Sequence, residues 1–522
     1  MEYIKKNRSS LILKVAIFAT GFAGIVAEYI LSTLATYFLG NSVLQWTMIV
    51  SLMLFFMGIG ARLSKYIKTG LILKFLLLEI ALSLTVSFSS ILVYSTAAVS
   101  EYYPIFIYGL CVFIGLLIGL EIPLVIRINK AYEDFNTNIS SVLENDYYGS
   151  LLGGVFFAFI GLPQLGLTYV PFILGFVNLS VAVLVAIQMY SKMTSSEKIK
   201  VKSLIGGSVL ILLLGLYKTE DVIIWGEQKK YLDKVVFSKQ SAYQKIVMTE
   251  WKDEHWLYLN GNLQFCSIDE AMYHEPLVHP IMKMAENPKN VLVLGGGDGC
   301  AVRELLKIES VTSIDLVDLD SVMTNLGKKN PILKTLNKNA MNSNLLSINN
   351  ADAYTFLEKD VNSFYDVIII DLPDPRSIEL SRLYSQEFYT ICKRKLRPNG
   401  FIITQAGSPY FATKAFQCIN KSMQSAGFET VPLHNQVISM GEWGWILGAK
   451  NTNCDANCLK ARLRQLKFTD LSTNWINNDA MNLLTSFGKN NVFNLQDSTI
   501  EVNRIHNPVL QSYYLNGNWD IY

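Results

Sequence analysis

Long apolar runs fill most of the first 217 residues, whereas the rest of the chain alternates apolar and polar positions as soluble proteins do. The first four runs, and each half of the fifth when it is divided at the turn at 163–166, approach or exceed the ~20 residues that cross a bilayer. We therefore predict a polytopic, all-α membrane bundle with six or seven spans over residues 1–220. The runs cover residues 11–38, 43–59, 71–98, 105–126, 149–190 and 203–217.

Basic residues indicate the orientation of these spans. Lysines and arginines flank alternate connections, near residues 5–8, 62–68, 127–130 and 192–202. The connections around Gly40, Glu101 and Gln164 have none. The positive-inside rule then places the N-terminus in the cytoplasm and returns the chain there after six spans. The seventh run has only about 15 residues, or ~22 Å of helix, against a hydrocarbon core of ~30 Å, so its length leaves crossing open.

The second half of the chain has the pattern of an α/β protein. In "HWLYLNGNLQF", Asn260-Gly261 is a strong signal for a two-residue hairpin turn. "NVLVLGGGDGCAVRELLKI" then follows the order strand, glycine turn and helix, and this alternation continues through "YDVIIIDLPDP" and "GFIITQAG". We predict a Rossmann-like, class I methyltransferase-like domain with a largely parallel sheet at 289–450. A linker and small antiparallel sheet precede it at 221–288, and a C-terminal extension follows at 451–522.

Charge and cysteine content exclude several classes of protein. A net charge of +2, without a basic and aromatic stripe, gives no reason to expect nucleic acid as a partner. Cys454 and Cys458 are four residues apart but have no matching His or Cys pair nearby, so we predict no metal site. Nothing in the spacing of the seven cysteines indicates a disulfide framework.

Two aspartates follow an apolar strand in "VIIIDLPDP", residues 367–375. Ligands of open α/β sheets bind at the carboxyl ends of such strands, which makes Asp371 and Asp374 candidates for chemistry. Ordinary turn roles are the alternative for both residues.

The glycine turn at 295–297 suits a nucleoside ligand, with Asp318 at the end of the next strand for ribose hydroxyls. Cys300 replaces the third glycine of the dinucleotide fingerprint, and Asp298 would repel a pyrophosphate. The turn therefore favours a positively charged sulfonium nucleoside of the S-adenosylmethionine type. These residues alone do not decide between two reactions: transfer of the methyl group and transfer of the other alkyl arm of the sulfonium.

Several motifs, taken together and in order, resemble the spermidine synthase (polyamine aminopropyltransferase) family over residues of about 237–450. They are "SAYQ", "LNGNLQF", "DEAMYHE", "VLVLGGGDG", "VDLD", "NADA", "DLPDP" and "LYSQEFY". "GLEIPL", "ENDYYGSLLGG", "EWGW" and "NPVLQSYYLNGNW" resemble its membrane-integrated branch. The resemblance implies an enzyme that transfers the aminopropyl group of decarboxylated S-adenosylmethionine to a polyamine. With putrescine, the products would be spermidine and methylthioadenosine.

The resemblance also implies roles for individual residues. Asp371 would be the catalytic base that deprotonates the attacking amine. Asp318 stands where the family usually has glutamate, and Asp352 has a helix N-cap as its alternative role. The implied amine-binding residues are Tyr273, Asp374 and Gln405, and the implied nucleoside-binding residues are Gln244, His274, Asp298, Asp318 and Asp352.

One region departs from the family pattern. Where soluble members often have Tyr-Pro-Ser-Gly, this chain has Ile438, Ser439 and Met440. An aromatic contact to the far end of the amine would be lost, and Tyr410 and Trp443 are the alternative sources of one.

We expect decarboxylated S-adenosylmethionine as co-substrate, with no permanently bound cofactor. The expected partners are the polyamine, the sulfonium nucleoside and the lipid bilayer, and we expect a homo-oligomer in the cell membrane. Because the donor is made in the cytosol, we predict a cytosolic catalytic domain.

Two other functions stay open at this point: a polyamine transporter or sensor with a synthase-like ligand-binding domain, and an S-adenosylmethionine-dependent methyltransferase. Glu28, Glu79 and Glu121 lie within predicted spans. We favour interhelical hydrogen bonding for them over a cation path, because no broken-helix pair or internal repeat is evident.

Overall fold

The computed structural model describes residues 2–359, 363–451, 453–488 and 499–519. Contacts within the chain divide it into two compact units, Met1–Thr249 and Glu250–Tyr522. The first unit is mainly helical, and the second contains the large sheet.

The first unit contains seven long helices. Six helical stretches in the described part of the chain are long and apolar enough to cross a membrane, and one of them, Phe135–Gln188, combines α5 and α6. A π-helical segment, Phe157–Leu165, joins these two helices and ends at Gly166, whose φ of 64° and ψ of −178° are not helical. The helices are α1 Glu2–Leu39, α2 Ser42–Leu63, α3 Leu71–Val99, α4 Tyr103–Asn129, α5 Phe135–Phe156, α6 Gly166–Gln188 and α7 Ser195–Lys230.

The seventh helix is longer than its apolar run indicated. A capping box between Thr194 and Glu197 begins α7, and helical hydrogen bonding then continues for 36 residues, or about 54 Å. The polar sequence after Tyr217 therefore belongs to the same helix. The length of the seventh segment is no obstacle to crossing a bilayer.

Small residues bring the helices of this unit close together. A Cβ added at Gly149 of α5 would lie 2.0 Å from the Phe18 carbonyl oxygen of α1, and one at Gly119 of α4 would lie 2.1 Å from that of Met57 in α2. Such approach of backbones is typical of helices packed within a membrane. Glu79 is fully buried and accepts a hydrogen bond from the Thr20 hydroxyl at 3.2 Å, in agreement with interhelical hydrogen bonding.

A four-stranded sheet follows the helices along the chain, and its strands have the order β1-β2-β3-β4. The hairpin between β3 and β4 turns at Asn260 and Gly261, both at positive φ as the Asn-Gly signal predicts. The strands are β1 Lys234–Gln240, β2 Lys245–Trp251, β3 Glu254–Leu259 and β4 Asn262–Cys266.

The second unit is built on a seven-stranded sheet in the order β10-β11-β9-β8-β5-β6-β7. The five strands β5 to β9 are parallel, while β10 and β11 are antiparallel, which confirms the predicted Rossmann-like, class I methyltransferase-like fold. The strands are β5 Asn290–Gly295, β6 Ser313–Val317, β7 Leu346–Asn349, β8 Tyr365–Asp371, β9 Leu396–Gly407, β10 Glu429–Val437 and β11 Gly441–Ala449.

Helices cover both faces of this sheet, because the apolar positions of the parallel strands face two separate cores. They are α8 Ala271–Met284, α9 Cys300–Leu305, α10 Ser321–Lys329, α11 Pro331–Leu336, α12 Ala353–Lys359, α13 Ile378–Ser381, α14 Gln386–Lys395, α15 Thr413–Ser425, α16 Ala456–Arg464, α17 Asn478–Leu484 and α18 Leu510–Leu515.

The C-terminal extension is held by specific contacts. The carboxylate of Glu275, fully buried in α8, accepts hydrogen bonds from the backbone N–H groups of Asn474, Trp475 and Ile476 at 2.6–2.8 Å. Cys454 and Cys458, four residues apart, form a disulfide, although the spacing of the seven cysteines did not indicate a disulfide framework. The extension is therefore packed on the second unit.

Candidate active site

The glycine turn lies against the end of the central strand β8. Gly295 pairs with Asp371 in the sheet, and its φ of 85° is a conformation that favours glycine. A Cβ at Gly295 would lie 2.0 Å from the Asp371 carbonyl oxygen, which also accepts a hydrogen bond from the Gly296 N–H at 3.1 Å. This close approach brings the glycine turn and Asp371 to one edge of the sheet.

The Asp371 carboxylate has three polar neighbours. The Tyr273 hydroxyl donates a hydrogen bond to Asp371 Oδ1 at 2.7 Å. Ligand-type atoms of His274, Asp298 and Asp371 all lie within 4.8 Å of one another. The pKa of Asp371 is raised to about 6, mainly because the carboxyl group is buried. The positive charge of His274 and the hydrogen bond from Tyr273 lower this pKa, whereas the negative charge of Asp298 raises it.

His274 is held as a cation by Glu270. The two residues are four apart at the start of α8, and His274 Nδ1 lies 2.8 Å from Glu270 Oε2. Burial disfavours the imidazolium, but the hydrogen bond and charge of Glu270 raise the pKa of His274 to about 9. Arg303 donates to the same Glu270 oxygen at 2.8 Å. The motif "DEAMYHE" contains Glu270, yet the sequence analysis assigned it no role.

Asp374 and Gln405 lie together beside the end of β8. Gln405 Nε2 lies 3.4 Å from Asp374 Oδ1, 2.7 Å from the Tyr384 hydroxyl and 2.8 Å from the Leu372 carbonyl oxygen. Burial raises the pKa of Asp374, whereas Arg376 and hydrogen bonds from Tyr514 and Gln405 lower it. Two of the predicted amine-binding side chains are thus in contact.

Asp298 and Asp318 lie on opposite parts of the glycine turn. Asp298 Oδ1 accepts the Cys300 N–H at 2.7 Å at the start of α9, and Asp318 Oδ2 accepts the Gly297 N–H at 3.1 Å. Burial raises the pKa of Asp318 to about 7, and the charges of Asp320 and Asp298 raise it as well. The glycine turn is therefore flanked by acids, as the sulfonium hypothesis requires.

Two predicted nucleoside contacts have structural roles of their own. Asp352 accepts the Thr355 N–H at 3.0 Å, which caps α12 as its alternative role requires, and it also pairs with Arg382. Gln244 lies in the Met1–Thr249 unit, in the turn before β2, where its N–H donates to the Ser241 hydroxyl at 3.0 Å. Nucleoside contact by either residue stays a prediction.

The region that departs from the family pattern is tied to the start of α8. Ser439 donates its N–H and hydroxyl to the Asp269 carboxylate at 2.5 and 2.9 Å, and Ile438 is 72% exposed. Trp443 is buried in β11, whereas Tyr410 is half-buried with its ring 6.3 Å from that of His434.

The fold and site together define a class of protein. A mainly parallel sheet in which β11 runs antiparallel to its neighbours, with a glycine turn and acids at the carboxyl ends of the strands, is the arrangement of class I methyltransferase-like enzymes, which use sulfonium nucleosides. Comparisons with known proteins narrow this class.

The family described as Spermine/spermidine synthase domain matches residues 270–461. The polyamine aminopropyltransferase of Leptospira interrogans serogroup Icterohaemorrhagiae serovar copenhageni (strain Fiocruz L1-130) is 37% identical over 96% of this chain and 97% of that relative. Polyamine aminopropyltransferase 2 of Aquifex aeolicus (strain VF5) is 40% identical over 97% and 98%. A crystal structure of spermidine synthase with the transition state analogue AdoDATO is 27% identical, with a TM-score of 0.44, over 49% of this chain and 85% of that one. From the two full-length relatives, the chain belongs to the polyamine aminopropyltransferase family.

The state of His274 can be tested directly. We expect Glu270→Gln to lower the pKa of His274 from about 9, because the substitution removes the nearest negative charge. A histidine-ring NMR titration measures this value, and a His274→Gln variant assigns the signal among the five histidines. Glu286→Gln, at an exposed position after α8, is the matched control. An unchanged titration in Glu270→Gln would contradict the assigned cause.

Proposed function

We propose that the protein transfers the aminopropyl group of decarboxylated S-adenosylmethionine to putrescine, giving spermidine and methylthioadenosine. The amine nitrogen attacks the aminopropyl carbon next to the sulfonium, a C–N bond forms, and the C–S bond breaks. Its electron pair leaves on sulfur, so methylthioadenosine departs as a neutral thioether. The proton lost from nitrogen passes to Asp371.

The observation that carries the proposal is the buried Tyr273–Asp371 pair beside His274 and Asp298. An alkylamine has a pKa near that of lysine, ~10.4, and cannot attack carbon until it loses a proton. A carboxylate with a pKa of about 6 is a stronger base than an ordinary aspartate but is still ionised at neutral pH. Tyr273 fixes the orientation of that carboxylate by its hydrogen bond.

The charges around this pair suit cationic substrates. The acids Asp298, Asp318, Asp371 and Asp374 lie at the strand ends and the glycine turn. The cations beside them are the imidazolium of His274 and the guanidinium of Arg376, whose Nε lies 3.8 Å from Asp374 Oδ2. Asp374 and Gln405 would hold the acceptor amine through charge-assisted hydrogen bonds, and Asp298 would bind the ammonium of the aminopropyl arm. A methyl donor with an intact carboxylate would meet these acids less favourably, and a sensor would need no base.

Product analysis tests the reaction. The purified full-length protein is supplied with decarboxylated S-adenosylmethionine and a panel of putrescine, cadaverine, agmatine and spermidine. We expect mass spectrometry to detect an aminopropylated amine and equimolar methylthioadenosine, with putrescine consumed fastest. Methyl transfer from S-adenosylmethionine, without aminopropyl transfer, would contradict the proposal.

Asp371→Asn should lower kcat by roughly 10²- to 10⁴-fold, the range for a positioned proton transfer. Binding of the nucleoside should survive, because the amide keeps the shape of the side chain. Since Asp371 must be ionised to accept a proton, wild-type kcat/KM should fall as the pH drops below about 6. The loss caused by Asp371→Asn should shrink at high pH, where more amine arrives deprotonated.

The control for this substitution is Asp253→Asn, which makes the same chemical change at an exposed turn. It should leave kcat and the acid limb unchanged. Turnover of Asp371→Asn close to that of the wild type at pH 7 would return Asp371 to an ordinary turn role.

We also propose that the helical unit spans the cell membrane and that α7 crosses it. Lys198, near the start of α7, lies over the ring of Tyr190 after the end of α6, at 4.6 Å. Lys230, at the end of α7, lies over the ring of Tyr37 near the end of α1, at 3.8 Å. Gly215, between them, packs against Phe88 and Phe172. These contacts support an α7 that traverses the bundle.

The positions of the basic residues indicate the direction in which α7 crosses the membrane. The bundle end where α1 finishes has the connections around Gly40, Glu101 and Gln164, which carry no Lys or Arg. The positive-inside rule assigns such connections to the non-cytoplasmic side, so the chain after Lys230 would begin there. This differs from the cytosolic location that we expected from donor supply, because that expectation depended on a seventh segment that does not cross.

Thiol labelling tests this topology. We expect Lys229→Cys to react with a membrane-impermeant reagent on intact cells, and Lys200→Cys, at the other end of α7, to react only after lysis. Both side chains are exposed, and the five free native cysteines are buried. The reverse labelling pattern would restore a cytosolic catalytic domain.

A further inference from the structure

The short C-terminal helix α18 delivers a tyrosine to the candidate amine site. Tyr514 is 1% exposed, and its hydroxyl donates a hydrogen bond to Asp374 Oδ2 at 2.5 Å. It lies beyond residues 270–461, which match the family domain, and outside every motif used to assign site residues. We propose that Tyr514 is a positioning residue that holds the Asp374 carboxylate for the acceptor amine, an inference that rests on the proposed function.

The direction of the hydrogen bond follows from the chemistry of the two groups. Burial raises the pKa of Tyr514 well above its ordinary value, and the charge of Asp374 raises it as well, so the hydroxyl keeps its proton. Arg376 Nη2 lies 3.4 Å from the same hydroxyl oxygen, and its guanidinium lies 5.3 Å from the Tyr514 ring centroid. The hydroxyl therefore accepts from Arg376 and donates to Asp374.

Both oxygens of Asp374 are fixed by this arrangement. Gln405 approaches Oδ1 at 3.4 Å, while Tyr514 binds Oδ2. A carboxylate has about four lone-pair sites, so two protein donors leave capacity for an ammonium. Tyr514 thus stabilises the ionised carboxylate and sets the direction in which its other lone pairs point.

The position of Tyr514 does not depend on its hydroxyl. A Cβ at Gly407 would lie 3.3 Å from the Tyr514 ring, so the ring packs tightly against this glycine. Trp519 Nε1 donates to the Tyr514 carbonyl oxygen at 2.7 Å, and Gln511 Nε2 donates to the Arg376 carbonyl oxygen at 3.0 Å. Removing the hydroxyl alone should leave the helix in place.

The test is Tyr514→Phe in the full-length protein. We expect the KM for the acceptor amine to rise roughly 10- to 100-fold, the effect of losing a hydrogen bond to a charged group. The KM for decarboxylated S-adenosylmethionine should stay unchanged, because Asp298 and Asp318 accept their hydrogen bonds from the backbone N–H groups of Gly297, Cys300 and Asp320. Tyr513→Phe is the matched control, since its hydroxyl accepts a hydrogen bond from the backbone N–H of Glu501 at 3.4 Å.

A double-substitution cycle separates positioning from a general structural effect. If Tyr514 acts through Asp374, Tyr514→Phe should add little to the loss caused by Asp374→Asn. Additive losses, equal changes in both KM values, or a Tyr514→Phe variant that behaves like Tyr513→Phe would each overturn the inference. Wild-type protein that aminopropylates no amine would instead contradict the proposed function.

Discussion

The contact between the glycine turn and the backbone of Asp371 is the constraint on which the site depends. Gly295 has a positive φ and lies where any Cβ would overlap the Asp371 carbonyl oxygen, so the strands β5 and β8 can end side by side only with glycine there. The turn then places Asp298 beside Asp371, with carboxylate oxygens of the two residues within 4.8 Å of each other. Both candidate substrate sites are therefore set by one steric condition.

Burial of several acids in one place is costly, and the site offsets that cost with specific partners. Glu270 keeps His274 protonated, and His274 in turn stabilises the ionised form of Asp371. The hydrogen bonds and charges of His274 and Arg303 lower the pKa of Glu270 to about 2, although its burial raises it. The positive charge of His274 is therefore maintained by the protein itself. The remaining excess of negative charge is available to bind substrate ammonium groups.

The sequence predicted the parts of this architecture that depend on local pattern. The glycine turn, the strand ending at Asp371 and the Asn260-Gly261 hairpin all have short-range signals, and each is where the pattern indicated. The predicted length of the seventh segment was wrong, because it was taken from the apolar run alone. The polar second half of α7 has no such run, yet it continues the hydrogen bonding of the same helix. Tyr514 lies in the motif "NPVLQSYYLNGNW", but its role was missed because 140 residues separate it from Asp374 and a motif does not indicate which distant side chain it contacts.

The two candidate substrate sites differ in how they are encoded along the chain. Asp298, Asp318 and the glycine turn lie within two successive strand–loop units of the sheet, so the donor side is determined by the fold itself. On the acceptor side, Asp374 contacts both Gln405 and Tyr514. Tyr514 belongs to α18, which lies outside the strand–loop units of the sheet. Changes in the C-terminal extension can therefore alter the acceptor side without disturbing the strands that form the donor side.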